Sequence, residues 1–421
     1  MHTFVGAAVA TAALLAVSGV AIAEPAPAFA GYPALFDEMW RDVDQNFYDP
    51  TFNGHDWKAI GARYRAELST VKTDRDFSRL AYAMLDELHV SHLFLTQPER
   101  DRAVGGAGLG ARIETIGKDH VVIDVPPMTD AQRKGLRVGD RILTPDAAVR
   151  GPLGSVADVR VRGCDGRDRS LRIRREGALW PPTHPGFWWR RIDVRPGVSY
   201  GYIRIDRFDD GAAELADEAM AEFKDTQAIV IDIRENSGGD ISSLRLVSYF
   251  EDGSQPVVAL LARPYLQALG RPVTKSDIDK LPVTRGAYTD AAVFRAVREG
   301  RGSAVFATED IGAKRYRGKV AVVMGNETGS AGEGFAAVMK TLAHATEVGR
   351  PTAGYLLSSD RIDLPGGWTL TYPAQGVWAP DGTDFKDTPV QPDVLVPRTA
   401  ADVCRADDPD LTKAIEVLEA R

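Results

Sequence analysis

The chain has 421 residues, 44% of them hydrophobic and 26% charged, and a formal net charge of -8. This is ordinary globular composition and excludes collagen-like, low-complexity and disulfide-stapled mini-protein classes. At roughly 150 residues per domain it predicts two or three domains, and the mild acidity gives no basic stripe for nucleic acid. Cys164 and Cys404 are the only cysteines. They cannot build a zinc cluster, and one disulfide between them is left open.

Residues 3–22 carry no charge and are rich in Ala, Val and Leu, and Ala21-Ile22-Ala23 follows the small-x-small cleavage pattern. A secretory signal peptide over 1–23 is expected. The competing reading is an uncleaved anchor helix, since about 20 apolar residues span a bilayer. The expected location is secreted or periplasmic, with no stable membrane insertion after cleavage.

Residues 24–100 read as a small helical domain. Leu35, Phe36, Met39 and Trp40 make one helical face, Ile60, Tyr64 and Leu68 a second, and Phe77, Leu80, Ala81, Met84, Leu85 and Leu88 a third. Asn53-Gly54 breaks the first from the second, and Asp74 is the expected cap of the third.

Composition then shifts to glycines and short β-like runs over 104–176, with strands expected at 111–116, 120–125 and 170–175. Between them, the run from Gly135 to Leu143 (GLRVGDRIL) resembles that of a PDZ domain at the same internal position. PDZ domains capture an extended peptide at a sheet edge. Gly108-Leu109-Gly110 resembles their carboxylate-binding loop, which makes these three residues candidate peptide contacts; a spacer role is the alternative.

Residues 190–421 alternate strands and helices, which indicates an α/β core. A buried strand at 228–234 ends in Asp232, Arg234 and Asn236, then Gly238-Gly239. Paired glycines after a strand let a substrate approach backbone amides, and Asp232 with Arg234 reads as a structural ion pair. A second buried strand at 320–324 runs into Gly329-Ser330-Ala331-Gly332-Glu333 and a helix. A serine at a strand-to-helix turn, beside free helix N-terminal amides, is what acyl transfer needs; a plain helix cap is the bland alternative. A closing helix is expected at 411–418. His89 and His92, two of the seven histidines, stand at metal-ligand spacing, yet no third ligand of suitable spacing accompanies them.

The order of Met84–Leu95 (MLDELHVSHLFL), GLRVGDRIL, the run ending in Asn236-Ser237-Gly238-Gly239-Asp240, and Gly325–Ala336 resembles the tail-specific peptidase family. That family includes the C-terminal processing peptidases and the tricorn core proteases. The resemblance covers roughly residues 32–418 and implies a ClpP/crotonase-like α/β peptidase core. It makes Ser330 the nucleophile and Ala331 one oxyanion amide, with Gly238 as the other and Gly239 the less favoured choice. The processing branch uses a lysine some 25 residues past the serine. Counting from Ser330 reaches Tyr355, and no lysine lies nearby. The tricorn branch uses a histidine in an E-L-x-x-S-H motif, matched here by Glu87–His92. His92 is then the general base and Ser91 its orienting neighbour, while His89 falls on a variable position.

One departure stands out. The tricorn tetrad is completed by a Glu six residues before the Pro of a Pro-Asp pair. Counting back from Pro392 reaches Lys386, flanked by Asp384 and Asp387 as substitutes. The implied function is a secreted or periplasmic serine endopeptidase acting on extended or unfolded peptide chains, without metal or organic cofactor. The alternatives are a catalytically weakened binder of peptides or hydrophobic ligands on the same fold, and an ester hydrolase. Large assemblies occur in the tricorn branch, so an oligomer is compatible with the reading. The 240–320 stretch exceeds what the motifs require, which raises the expectation of a lid.

Overall fold

The computed structural model describes residues 31–98, 107–177, 186–209, 211–386 and 388–420. The expected signal segment and Asp387 lie outside these residues. Among the described residues no helix is long and apolar enough to cross a membrane.

Three amphipathic helices open the structure: α1 (Tyr32–Asn46), α2 (Trp57–Ala66) and α3 (Asp74–Asp86). Pro33 sits in the first turn of α1, where its missing N–H costs nothing. Asp56 caps α2 by accepting the Ala59 N–H. The cap of α3 is Thr73 rather than Asp74: Thr73 and Asp76 form a capping box, and Asp74 lies inside the first turn. These helices do not bury their stripes only against one another. Phe36, Met39, Phe77 and Met84 share one core with Leu261, Val305, Trp368 and Leu370 of a sheet far along the chain. The Phe77 and Trp368 rings meet edge-on, centroids 5.3 Å apart.

After the short strand β1 (Phe94–Thr96) comes an inserted antiparallel sheet: β2 (Arg112–Ile116), β3 (Asp119–Asp124), β4 (Arg141–Ile142), β5 (Val156–Arg162) and β6 (Asp168–Arg174). The strands lie in that spatial order. Two single-turn helices accompany them, α4 (Asp130–Arg133) and α5 (Asp146–Val149). The strict in-out alternation of β5 puts Ala157, Val159 and Val161 into a core of its own with Val122, Ile142 and Ile173. Arg112 pairs with Glu235, Arg398 pairs with Glu114 at 2.7 Å, Cys164 is disulfide-bonded to Cys404, and Ile116 and Val121 pack on Ala400, all tying this insert to the rest.

The remaining chain forms two sheets. One takes β7 (Phe187–Arg195), β8 (Val198–Ile205), β9 (Ala228–Asp232), β13 (Lys319–Met324), β14 (Thr346–Gly349) and β17 (Val394–Leu395), in the order β17-β14-β13-β9-β8-β7. All neighbours are parallel except β7 and β8. Every residue of β9 is buried, as its nearly all-apolar run predicts for a sheet covered on both faces. The helices α6 (Ala212–Phe223), α11 (Ala331–Thr341) and α12 (Pro409–Ala420) supply that cover.

The other sheet runs β1-β16-β10-β12-β11, with β15 on the second edge of β16. Its strands are β10 (Pro256–Ala262), β11 (Val283–Thr284), β12 (Ser303–Ala307), β15 (Ser358–Leu364) and β16 (Trp368–Trp378). The short helices α7 (Ser243–Val247), α8 (Arg263–Leu269) and α9 (Lys275–Ile278), and the longer α10 (Asp290–Glu299), complete the stretch. Residues 240–320 thus contribute β10 and β12 to the middle of this sheet. Ala304, Val305, Phe306 and Ala307 are all buried. The stretch expected to be a lid is largely a wall of the molecule.

Candidate active site

Ser330 ends the loop between β13 and α11, at φ 50°, ψ -122°. A non-glycine residue with positive φ is strained, and such strain persists only when the surroundings hold it. The surroundings here centre on Glu333, which is wholly buried. One of its carboxylate oxygens accepts the N–H groups of Ser330, at 3.2 Å, and of Tyr355. The other accepts the Thr352 hydroxyl and the Gly354 N–H. Ser330 N–H also donates to the Tyr355 carbonyl at 3.0 Å. One buried carboxylate therefore fixes both the serine turn and the loop opposite. The Ser-x-x-Glu spacing is the capping-box signature, so the signal for Glu333 is present in the sequence.

Upstream of this turn, Thr328 Oγ1 donates to the Ile233 carbonyl at 2.8 Å and accepts the Gly325 N–H at 3.0 Å. The serine loop is thus laced to the end of β9. There Asn236, wholly buried, donates to the Ile205 carbonyl and accepts the Gly238 N–H at 2.9 Å. Gly238 lies directly against the serine: a Cβ built on it would stand 2.7 Å from Ser330 Cβ. Gly239 is pressed on Phe208, whose carbonyl would meet a Cβ at 1.7 Å. Both glycines have positive φ, 114° and 128°. The Gly238 amide is spent on Asn236, whereas those of Gly239 and Ala331 have no acceptor among the described residues.

Ser91 and His92 follow α3 in the turn before β1. Ser91 Oγ lies 2.9 Å from His92 Nδ1. The turn is braced from behind. Glu87 bonds Arg63 and the Tyr64 hydroxyl, and Asn53 Nδ2 donates to the Leu88 carbonyl at 3.0 Å. His89 faces the other way, its ring edge-on to His55. Pairing of Phe94 with Thr371 then seats the turn on the sheet. His92, Gly239, Ser330 and Ala331 all line one cleft of about 920 Å³. Its floor is apolar, with Leu244, Phe335, Val338 and Leu356, and Asp240, Asp290 and Asp360 stand on its walls. No group of three or more metal-ligating side chains occurs among the described residues.

Asp384 and Lys386 are exposed and do not line the cleft. Asp384 accepts the Lys386 backbone N–H at 3.0 Å, and Phe385 between them points into the cleft. In the insert, the Leu109 side chain is buried in the core, and Gly108 accepts the Glu176 N–H at 3.0 Å. The Glu176 carboxylate accepts the Asp130 N–H beside Gly110.

Behind the cleft lies the ion-pair group expected from Asp232 and Arg234. Arg234 contacts Asp232 and Asp408 at 2.6 Å and Asp410 at 2.9 Å, and Arg350 contacts Asp410 at 2.6 Å. Burial alone would raise the Asp232 carboxyl. Arg234, with help from Arg204 and the Tyr202 hydroxyl, outweighs it and brings the group down to about 2. The group pins the start of α12 to the end of β9.

A strained serine turn beside paired glycines, lining one cleft with a histidine, fits a serine peptidase of the tail-specific class. Residues 199–396 match peptidase family S41 and residues 30–86 match the tricorn protease C1 domain. It is 26% identical to the chloroplastic C-terminal processing peptidase of Tetradesmus obliquus over 91% of this chain and 82% of the relative. It is also 26% identical to tricorn protease homolog 1 of Streptomyces coelicolor over 93% of this chain, spanning 35% of that longer protein. Among solved structures, the photosystem II D1 C-terminal processing protease aligns with a TM-score of 0.55 at 21% identity, covering 93% of this chain and 98% of that one. Mature CPAF complexed with lactacystin aligns at 0.60 and 16% identity, over 92% and 98%. The peptidase class makes peptides or proteins its substrates.

Proposed function

We propose that this is a secreted or periplasmic endopeptidase that cleaves extended chains through an acyl-enzyme on Ser330. The observation that carries the proposal is that Ser330, in its strained turn, lines the same cleft as His92, whose Nδ1 lies against Ser91. The other ring nitrogen, Nε2, is assigned the role of base. That nitrogen takes the Ser330 proton as Oγ adds to the scissile carbonyl, then passes it to the leaving amine as the C–N bond breaks. Water, deprotonated by the same nitrogen, cleaves the ester and returns the serine.

The oxyanion is assigned to the Ala331 and Gly239 amides. Gly238 then acts through shape: its bare Cα leaves room for the serine side chain, and its N–H is held by Asn236. Asp384, the expected tetrad acid, stands outside the cleft lining. That observation favours the second reading, a catalytically weakened binder of peptides or hydrophobic ligands in the same apolar cleft. In the insert, the Leu109 and Gly110 amides of the PDZ-like loop are proposed to receive a peptide carboxylate.

The test is a fluorophosphonate probe on the purified mature chain, with the adduct mapped by mass spectrometry beside Ser330→Ala and His92→Ala variants. Labelling at Ser330 that disappears without His92, together with cleavage of denatured casein, is expected. A folded protein that takes no label and cleaves nothing would favour the binding reading.

A further inference from the structure

Charge is unevenly shared between the insert and the rest of the chain. Residues 107–177 hold 14 Arg and Lys against 10 Asp and Glu, a net +4. The whole chain carries -8, so everything outside the insert sums to -12. Strand register shows where the excess lies. Ala157, Val159 and Val161 point inward, so the residues between them form the outer face of β5. There Arg162 stands beside Arg141, Arg160 beside Ser170, Asp158 beside Arg172 and Val156 beside Arg174. Over β2 and β3 this face is covered, because Val121 and Ile116 pack on Ala400. Over β5 and β6 it is open, with the Arg160 and Arg172 side chains 67% and 78% exposed. Its acids, Asp158 and Asp168, pair with Arg172 and with Arg160 and Arg162, and Asp119 at the border pairs with Arg141. Exposed pairs of this kind are weak and do not tie up the cations. At the Val156–Arg174 end the face runs into an apolar tip. Leu153 and Val156 are 55% and 48% exposed, and five of the ten exposed large apolar side chains among the described residues belong to the insert.

We propose that this face docks the protein peripherally on a membrane surface rich in anionic phospholipid, with Leu153 and Val156 entering the headgroup boundary. The composition selects this partner over another protein. A protein interface is built round a close-packed core depleted of charge, whereas the middle of this face is arginine. Arginine takes phosphate oxygens bidentately. Exposed Leu and Val beside such cations are what a surface-lying protein sinks into the acyl boundary. A basic surface of this kind is drawn to the negative potential of anionic lipid. The -12 of the remaining chain is repelled by the same potential, so the insert is the part that meets the surface. Docking of this sort needs no spanning segment and holds whether or not Ser330 is an active nucleophile.

The experiment is co-sedimentation of the purified mature chain with vesicles of phosphatidylcholine alone, and of phosphatidylcholine with about one third phosphatidylglycerol. Binding to the mixed vesicles only is expected at low salt, falling at least tenfold at about 1 M salt, where the screening length is about 3 Å. Each arginine near an anionic surface is worth about fivefold, so the Arg160→Gln/Arg172→Gln double variant should bind about twentyfold more weakly. Leu153→Ser with Val156→Ser should weaken binding about tenfold and leave the salt dependence in place. An unchanged urea midpoint certifies each variant as folded. Absence of binding to the mixed vesicles, or equal binding by the arginine variant, overturns the proposal. Capture of soluble polyglutamate without capture of vesicles overturns it too and assigns the face to an acidic chain. The lipid and salt comparison on the unaltered protein decides the matter if a variant does not fold.

Discussion

Glu333→Gln is nearly isosteric, yet it should loosen the whole serine turn. In the native protein each carboxylate oxygen accepts two donors. A glutamine keeps one accepting oxygen and turns the other into an NH₂ group. Whichever way the amide is set, an NH₂ meets at least one backbone N–H that cannot rotate away. If it faces Gly354, the Thr352 hydroxyl can turn to accept, and one contact is lost. If it faces Ser330 and Tyr355, both are lost. Hydrogen bonds to a charged acceptor contribute about 1.5–3 kcal/mol each, and a buried donor left unpaired carries its own penalty. The substitution should therefore cost about 2–5 kcal/mol, concentrated at one place. Because the loss is concentrated at one turn, a local readout is the sensitive one. Hydrogen exchange of peptides spanning 330–334 and 352–356 measures the local opening directly. A rise in exchange of at least thirtyfold at these amides is expected, with a parallel loss of fluorophosphonate labelling at Ser330. Exchange within threefold of the parent, with labelling retained, would refute the argument that one carboxylate holds the strained turn.

Other outcomes follow from the same structure. Gly239→Ala has no room for its Cβ beside the Phe208 carbonyl and should cost at least 3 kcal/mol by the standards of overpacking and positive-φ strain, read as a fall in soluble yield and urea midpoint. Asp232, held down to about 2 when folded, is a depressed carboxyl: its contribution is complete above the unfolded value near 4 and is lost as pH falls through 2, so Asp232→Asn should flatten the acid limb of a stability curve by about 2 kcal/mol. Glu347 has the opposite sign. Burial pushes it up to about 7, with Lys340 at 2.8 Å opposing. Stability should fall as pH rises from the unfolded value near 4.3 to 7, by about 3 kcal/mol at most, and Glu347→Gln should remove that slope. Cys164→Ser, or reduction, should raise hydrogen exchange in 399–405 and in the 163–167 turn, leaving the serine turn unchanged.

The sequence carried the local parts of this structure well. The buried strands at β9 and β13, the helix after Ser330 and the Ser91–His92 turn each have a signature within ten residues, and each stands where that signature puts it. What the sequence withheld depends on contacts between distant segments. The opening helices look like a freestanding domain because their amphipathic stripes can be read, but the surface that covers them, from Leu261 to Leu370, cannot. Residues 240–320 read as an optional lid because β10 and β12 have partners more than forty residues away. The choice between Gly238 and Gly239 turns on whether the Asn236 side chain folds back two residues, which spacing alone does not decide. The expected acid at Asp384 rested on counting along a loop, and an exposed aspartate holding the amide of Lys386 is where that counting leads.

The bond between Cys164 and Cys404 encloses 239 intervening residues, the separation being 240. Within that span lie both glycines, Ser330 and Glu333. A single backbone cut anywhere inside it leaves one covalent molecule, since the two ends stay joined through sulfur. For a protein whose business is severing chains, and whose own copies are among the chains it meets, that closed circuit means a nick need not become a dissociation. The cut form would migrate as an intact chain until it was reduced.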